Sequence, residues 1–131
     1  MGLDMYLEGE KYCWTDWKNP QNVLREDGYE IKSRTLRLGY WRKHPDLHGY
    51  IVNTFAGGVD NCEAIALEDP DIEKIIDAVA RDALPHTVGF FFGATDGTEK
   101  DETLHILTAA LAWLRAKDDR VFRTVFYRAS W

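Results

Sequence analysis

The sequence predicts an α+β fold: a mostly antiparallel sheet of about four strands with three helices packed mainly on one face. Two observations predict it. Segments with alternating apolar residues stand near both ends of the chain, and segments with apolar residues at helical spacing stand between them. The length of 131 residues fits a single domain spanning 1–131. Hydrophobic residues at 45% and charged residues at 29% are ordinary for a domain with its own core.

The first third of the chain is predicted to be strand and loop. Alternating apolar residues predict a first strand over residues 3–7. Residues 12–24 hold a turn signal and several aromatic residues, and they predict an irregular loop with exposed rings. After the turn dipeptide Asp27-Gly28, a second strand is predicted from Tyr29 to Trp41. Its alternation predicts one face with Leu36, Leu38 and Tyr40, and an opposite face with Arg37, Gly39 and Trp41.

The middle of the chain alternates helix and strand. Pro45 suits a first helical position, which predicts a helix from about 45 to 55, ended by the glycines of 56–58. A short strand is predicted over 64–67. Asp69 as N-cap and Pro70 at the first position then predict a helix that stops before Leu84-Pro85.

The last third is predicted to end in the longest helix and a strand. Three phenylalanines between glycines, within residues 89–93, predict a short buried strand. A capping box at 98–101 opens a helix whose leucines repeat at helical spacing through to Lys117. Residues 120–128 alternate as a closing strand.

Charge and cysteine content exclude several functions. The net charge of −6 argues against general nucleic-acid binding, because phosphate contacts require a basic face. Cys13 and Cys62 form no Cys-x-x-Cys pair, so a reduced, cytoplasmic setting is expected. We expect no signal peptide and no membrane span, since no apolar run approaches about 20 residues. Composition leaves the oligomeric state open.

A basic and aromatic segment, residues 40–50, is the first candidate site. Arg42 and Lys43 precede the predicted helix, whose free N–H groups would join them in holding a phosphate or carboxylate, and Tyr40 and Trp41 would stack on a ring. Asp4 in the first strand is expected to be exposed on an edge or paired with Arg42. The alternative interpretation is an exposed basic junction with no ligand.

Two weaker candidates lie elsewhere. Thr95 and Asp96 follow glycine-flanked backbone and would bind polar groups of a ligand, or would simply form a turn before the next helix. Cys62 with His48 would form a nucleophile pair, although a lone cysteine is more often a small buried hydrophobe. The histidines lack metal-site spacing, so we predict no metal and no cofactor.

Several stretches together resemble a family of small proteins carried by phages and prophages. These are the opening Met-Gly-Leu-Asp-Met-Tyr-Leu, the Tyr-Trp-Arg-Lys of 40–43, His48, Asn61-Cys62, the run 89–96 and the terminal Ser-Trp. Ala129 replaces a serine usual in that family, and Gly49-Tyr50 stands where a tryptophan usually follows the helix histidine.

The resemblance implies a phage or prophage setting, hence a host cytoplasm, and a shared pocket. Some such proteins are named phosphoglycerate kinase, yet that enzyme is a much larger two-domain protein and its nucleotide site has no counterpart here. The matched positions that would line the pocket are Asp4, Tyr40, Trp41, Arg42, Lys43, His48, Cys62, Thr95 and Asp96.

Three functional hypotheses follow from the sequence. The leading hypothesis is a non-enzymatic protein that binds a small anionic ligand, such as a nucleotide. The second is a protein-interaction module that acts on a host protein through its acidic surface and the exposed rings of Trp14, Trp17 and Trp131. The third is a small enzyme with His48 as general base, assisted by Cys62 or Asp96.

Overall fold

The chain folds as an antiparallel sheet with helices on one side, and the predicted α+β class is confirmed. The computed structural model describes residues 2–14, 18–87, 99–116 and 121–131. In chain order its elements are β1 (Asp4–Cys13), a 3-10 turn (Pro20–Asn22), β2 (Arg25–Glu26), β3 (Tyr29–Glu30), β4 (Ser33–Arg42), α1 (Pro45–Phe55), β5 (Ile65–Leu67), α2 (Asp69–Ala80), α3 (Lys100–Arg115) and β6 (Val121–Ser130).

The main sheet has the strand order β4-β1-β6-β5, and every neighbouring pair is antiparallel. β1 lies in the middle and pairs along its length with β4 on one side and β6 on the other. It is longer than the predicted strand over 3–7, because pairing on both sides carries the polar segment from Glu8 to Cys13 into the sheet. β2 and β3 form a separate hairpin, and the predicted turn at Asp27-Gly28 is confirmed by its positive φ angles of 52° and 83°.

One face of the sheet packs against the helices and forms the core. Met5 and Leu7 of β1 and Tyr127 of β6 are fully buried there. They share one cluster with apolar residues of all three helices: Leu47 and Ile51 of α1, Ile72, Ile75 and Val79 of α2, and Leu107, Ala110 and Leu111 of α3. Each large apolar side chain buried in this way contributes about 1.5–3 kcal/mol relative to an exposed one.

The opposite face of the sheet is turned away from the described helices, and we call it the helix-free face. Directly opposed residues of antiparallel strands point to the same side. The paired positions therefore place five rows on this face: Arg42-Asp4-Ser130, Tyr40-Tyr6-Arg128, Arg37-Glu8-Phe126, Thr35-Glu10-Thr124 and Ser33-Tyr12-Phe122.

A bulge in β4 changes which of its side chains face the helices. Leu7 is opposite Gly39, whereas the next residue of β1, Glu8, is opposite Arg37, so Leu38 is an extra residue on the β4 side. The prediction that Tyr40 shares a face with Leu36 and Leu38 is therefore wrong. Beyond the bulge the alternation is shifted by one residue, and Tyr40 points to the helix-free face.

Helix boundaries follow the predicted start and stop signals closely. α1 begins at Pro45 as predicted, and beyond its end Gly57 and Gly58 adopt positive φ angles of 61° and 83°. α2 begins at Asp69, so the N-cap is Glu68 rather than the predicted Asp69. The Glu68 backbone N–H donates to the Asp71 carboxylate at 2.8 Å, which closes the first turn of the helix.

α3 and α2 lie side by side and are joined by a charged contact at one end. Arg115 at the end of α3 donates from two nitrogens to the two carboxylate oxygens of Asp69, each at 2.7 Å, and also contacts Glu73. The hydrogen bonds from Arg115 lower the pKa of the Asp69 carboxyl below its ordinary value.

Some predictions fall on parts of the chain outside the described residues. These are the phenylalanine strand within 89–93 and the cap at Thr98. The prediction that the last helix runs to Lys117 is wrong, because α3 ends at Arg115 and Ala116 is already extended, with a ψ angle of 128°. Among the described residues, no helix is both long enough and apolar enough to cross a membrane.

Two glycines let α3 approach the sheet closely, and one of them gives a stability prediction. A Cβ at Gly39 would lie 2.3 Å from Ile106 Cγ2, and one at Gly9 would lie 2.7 Å from the Trp113 ring. We expect Gly39→Ala to destabilise the fold by about 1–3 kcal/mol, because a β-branched side chain next to the helix backbone cannot move aside. Urea unfolding would measure this loss.

The Gly39→Ala/Ile106→Ala double variant is the control. It removes the obstructing methyl group, so its loss of stability should be clearly smaller than the sum of the two single losses. Additive losses would show that the contact between Gly39 and Ile106 does not limit the approach of α3.

Candidate functional site

The structure describes seven of the nine predicted pocket residues and places them in different parts of the fold. Asp4, Tyr40 and Arg42 lie together on the helix-free face. Trp41 lies on the other side of β4, and His48 lies in α1 beneath the sheet. Lys43 is exposed just after β4, and Cys62 is exposed in the loop before β5. Thr95 and Asp96 lie outside the described residues.

Asp4 and Tyr40 are joined on the helix-free face. The Tyr40 hydroxyl donates to Asp4 Oδ1 at 2.5 Å, and this bond to the carboxylate raises the pKa of the Tyr40 phenol above its ordinary value. Arg42, the predicted partner of Asp4, is its opposite residue in the strand pairing, but the hydrogen bond to Asp4 comes from Tyr40. Asp4 therefore fixes the position of an aromatic ring on the surface.

Trp41 is a core residue. Only 4% of its surface is exposed, and its indole N–H donates to the Thr103 hydroxyl of α3 at 2.9 Å. This bond satisfies the one polar group of the ring and joins β4 to α3. Trp41 thus lies where no ligand on the helix-free face can stack on it.

A cluster of rings and guanidinium groups is centred on Tyr6, beside Tyr40. The rings of Tyr6 and Tyr40 are 5.4 Å apart and tilted, and the guanidinium carbons of Arg37 and Arg128 lie 5.2 and 6.0 Å from the centre of the Tyr6 ring. Arg128 is also bound to a carboxylate, Glu8 Oε1, at 2.9 Å. Arg37 and Arg42, both exposed, form no ion pair with any described residue.

The other end of the helix-free face is aromatic and carries less charge. Tyr12 of β1 is opposite Phe122 of β6, and the ring of Trp14 meets the Tyr12 ring edge-on at 5.5 Å. Trp14 is 54% exposed and Phe122 57% exposed. Large exposed rings grouped in this way are typical of interaction sites rather than of ordinary surface.

His48 is sealed within the helix side of the sheet and joins three elements. It is 1% exposed, its Nδ1 lies 2.6 Å from the Tyr127 hydroxyl, and its Nε2 lies 2.9 Å from Asp60 Oδ2. A neutral imidazole that donates from Nε2 to Asp60 and accepts from Tyr127 at Nδ1 satisfies all three groups. Burial, and to a smaller extent the Asp60 charge, raises the pKa of the Tyr127 phenol well above its ordinary value.

Both ring nitrogens of His48 are therefore occupied, and its surface is closed to a substrate. Cys62, its predicted partner in nucleophilic catalysis, is an exposed residue with a positive φ of 63°, two positions after Asp60. In place of the predicted Cys62 thiol, the Asp60 carboxylate contacts Nε2 of the His48 imidazole. This arrangement fixes the loop before β5 onto α1 and β6.

A cavity of about 250 Å³ lies where α1 and α3 begin and α2 ends, and its charge does not suit an anion. Three carboxylates line it, those of Asp46, Asp82 and Glu99, against the amine of Lys100 and the ring of His44. None of the predicted site residues that the structure describes lies among its lining residues.

Comparisons with protein-family models, with curated proteins and with solved structures find no match to this chain. The resemblance to phage proteins therefore stays a prediction. Across the described ranges, no group of three or more His, Cys, Asp or Glu side chains is arranged to hold a metal ion.

Sequence reasoning missed most of the residues around Tyr40 and His48. Tyr6 and Arg128 stand on strands whose partners are distant in sequence, so only the strand pairing brings them beside Tyr40. The alternation of β1 did contain a usable signal, since Tyr6 shares a face with Asp4. Asp60 gave none, because it belongs to an irregular loop.

The contact between His48 and Tyr127 gives a prediction for stability and its pH dependence. Tyr127→Phe leaves Nδ1 of a buried ring without its partner, which should cost about 1–3 kcal/mol at pH 7 by urea unfolding. The raised phenol pKa means that the folded state keeps the Tyr127 proton longer than the unfolded state does. Wild-type stability should therefore fall as pH rises above about 10.

The Tyr127→Phe variant should lose stability less steeply above that pH than the wild type. Tyr29→Phe is the matched control, since Tyr29 is 78% exposed on the β2-β3 hairpin, and it should follow the wild type at every pH. Parallel wild-type and Tyr127→Phe curves through the alkaline range would contradict the role given to the buried phenol.

Proposed function

We propose that this chain is a non-enzymatic protein-interaction module whose recognition surface is the helix-free face. The observation that carries the proposal is the composition of that face. It holds five aromatic residues, three arginines and three carboxylates, and no lysine: Tyr6, Tyr12, Tyr40, Phe122, Phe126, Arg37, Arg42, Arg128, Asp4, Glu8 and Glu10. Aromatic residues and arginine are enriched in protein interfaces, whereas lysine, Asp and Glu are depleted, so the rings and arginines of this face support the proposal and its carboxylates do not.

The charge of the face supports the same proposal. Its arginines and carboxylates are equal in number, whereas the whole chain has a net charge of −6. A charge-balanced face on an acidic protein repels an acidic host protein less than the acidic parts of its surface do. The exposed rings of Tyr12, Trp14 and Phe122 at one end supply the apolar anchors that dominate binding energy in such contacts.

The shape of the face favours a protein partner over a small ligand. Sites for small molecules are concave and bury most of the ligand. The helices α1, α2 and α3 lie on the other side of the sheet, so they do not form the sides of a pocket on the helix-free face. The catalytic hypothesis has less support, because His48 is buried with both nitrogens bound.

One specific observation favours the leading sequence hypothesis, a small anionic ligand, as a second candidate. Arg37 and Arg42 stand on either side of Tyr40 without ion-pair partners among the described residues, and Tyr6 lies beside the Tyr40 ring. Guanidinium groups would hold a phosphate or carboxylate, and the rings would stack on a base. In this candidate site Tyr6, rather than the predicted Trp41, would stack on the base. Arg37, rather than the predicted Lys43, would hold the phosphate or carboxylate.

The interaction proposal is tested by affinity capture from bacterial lysate, the setting that the resemblance implies. We expect a stoichiometric protein partner that the wild type retains and that Tyr40→Ala and Phe122→Ala lose. Truncating one buried aromatic anchor typically costs 2 kcal/mol or more, which weakens binding about thirtyfold. Titration calorimetry with the purified partner would measure that change.

The matched control is Tyr29→Ala, which removes an exposed ring on the hairpin, away from the helix-free face. It should keep the partner. A partner that survives both Tyr40→Ala and Phe122→Ala, in variants whose circular dichroism equals that of the wild type, would contradict the proposal.

The second candidate is tested by thermal unfolding with nucleoside monophosphates. A nucleotide that binds the folded state, present at 100 times its Kd, should raise stability by about 2.7 kcal/mol. Arg37→Ala and Arg42→Ala should each reduce that gain, and Arg25→Ala on β2 should not. Equal gains in all three variants would place the nucleotide elsewhere on the protein.

A further inference from the structure

We propose that the outer edge of β4 binds an extended protein segment in which acidic and apolar residues alternate, and that this segment adds to the sheet as a fifth strand. The inference rests on the proposed function only in taking a protein partner, and it names the chemistry of the partner's contact. Three observations carry it: the charge of β4, its unpaired edge, and the different character of its two faces.

The charge of β4 is opposite to that of the protein. The segment 32–43 contains five of the chain's 16 basic residues and none of its 22 acidic residues. β4 makes up most of this segment, and three of its residues are arginines. An acidic protein therefore presents a basic strand at the edge of its sheet. Arg34 of this strand is paired with Glu26 at 3.7 Å, so the charges of Arg37 and Arg42 are the ones that would attract an acidic ligand.

The outer edge of β4 is free of strand pairing in the part of the chain that the structure describes. β4 is the terminal strand of the sheet order and pairs with β1 on one side only. With ten residues it is about 33 Å long. An edge of that length presents a row of backbone donors and acceptors, which is the contact that strand addition uses.

The two faces of β4 determine the pattern of the added strand. On the helix-free face, Arg37 and Arg42 would lie beside alternate side chains of the ligand, and neither has an ion pair with a described residue. On the helix side, Leu36 is 38% exposed and Leu38 packs at the border of the core. Successive side chains of a strand point to opposite faces, so acidic residues would meet the arginines and apolar residues the leucines.

Charged residues on edge strands also prevent aggregation, and this function is compatible with the proposal. Arginines on β4 repel a second β4, since pairing of two such strands would bring like charges together. The same charges attract a strand of opposite sign. Protection from self-pairing and selection of an acidic segment are therefore two results of one charge pattern.

The test measures binding of labelled synthetic peptides by fluorescence anisotropy. The probe is a peptide of alternating Glu and Val, and it is compared with a Lys and Val peptide of equal length. The full-length protein should bind the acidic peptide and not the basic one. Arg37→Glu/Arg42→Glu should weaken binding of the acidic peptide by about tenfold or more.

The matched control variant is Lys74→Glu/Arg81→Glu, which changes the net charge equally at two exposed positions, one on α2 and one at its C-terminal end, on the helix side of the sheet. It should change Kd by less than about twofold at 0.15 M salt, because charges beyond a Debye length of about 8 Å are screened. Equal weakening by the two double variants would overturn the proposal, since only net charge would then matter.

A backbone control distinguishes strand addition from charge attraction alone. Methylation of alternate peptide nitrogens on the acidic peptide removes hydrogen-bond donors and leaves its charges in place, so that peptide should lose binding. Unchanged binding would overturn strand addition. Displacement of the acidic peptide by inorganic phosphate, but not by chloride at equal ionic strength, would also overturn it and favour the small-anion site.

Failure of this inference is distinguishable from failure of the proposed function. If the peptides do not bind but a captured partner is lost with Phe122→Ala, the helix-free face is the recognition surface and the acidic strand is wrong. The opposite result is that the acidic peptide binds as described while Phe122→Ala and Tyr40→Ala leave every captured partner in place. In that case the edge of β4 is a binding site, and the helix-free face is not the recognition surface.

Discussion

The pairing of β1 with a neighbour on each side is the constraint on which the rest of the structure depends. It fixes all ten residues of β1 in strand geometry, including polar ones that prefer other conformations. Because side chains alternate along a strand, Met5 and Leu7 must enter the core and Tyr6 and Glu8 must leave it. The helices cover the apolar side, and the second side of the same strand becomes the centre of the helix-free face.

The bulge at Leu38 decides which aromatic residues of β4 are available for binding. Without the extra residue, strict alternation would place Trp41 on the same face as Arg37 and Tyr40 on the side of the leucines. With it, Trp41 enters the core and bonds to α3, and Tyr40 reaches the surface beside Asp4. One inserted residue thus exchanges a core ring and a surface ring, and it also brings Arg37 to the face that Tyr40 and Arg42 share.

These features explain which parts of the fold and of the candidate site could be predicted from the sequence alone. Helix starts such as Pro45 depend on local chemistry, and the sequence predicted them to within a residue or two, whereas α2 ends at Ala80, before the predicted stop at Leu84-Pro85. The strand pattern failed at Leu38, because a bulge depends on which residue the neighbouring strand places opposite. The prediction of the site residues was incomplete for a similar reason. Asp4 and Tyr40 were named as separate candidates, but their contact, and the rings and arginines around them, arise from pairing between distant segments.

The distribution of titratable and charged groups supports binding rather than catalysis as the basis of function. The imidazole of His48 is enclosed, and its partners Asp60 and Tyr127 hold it in one arrangement. The helix-free face instead presents exposed arginines and phenol rings that a partner can contact directly. An overall charge of −6 repels an acidic partner at long range, and in the proposed contact the arginines of the β4 edge would oppose that repulsion. An acidic segment would therefore approach this protein at one edge and in a limited set of orientations, so the charge pattern would contribute selectivity before any contact forms.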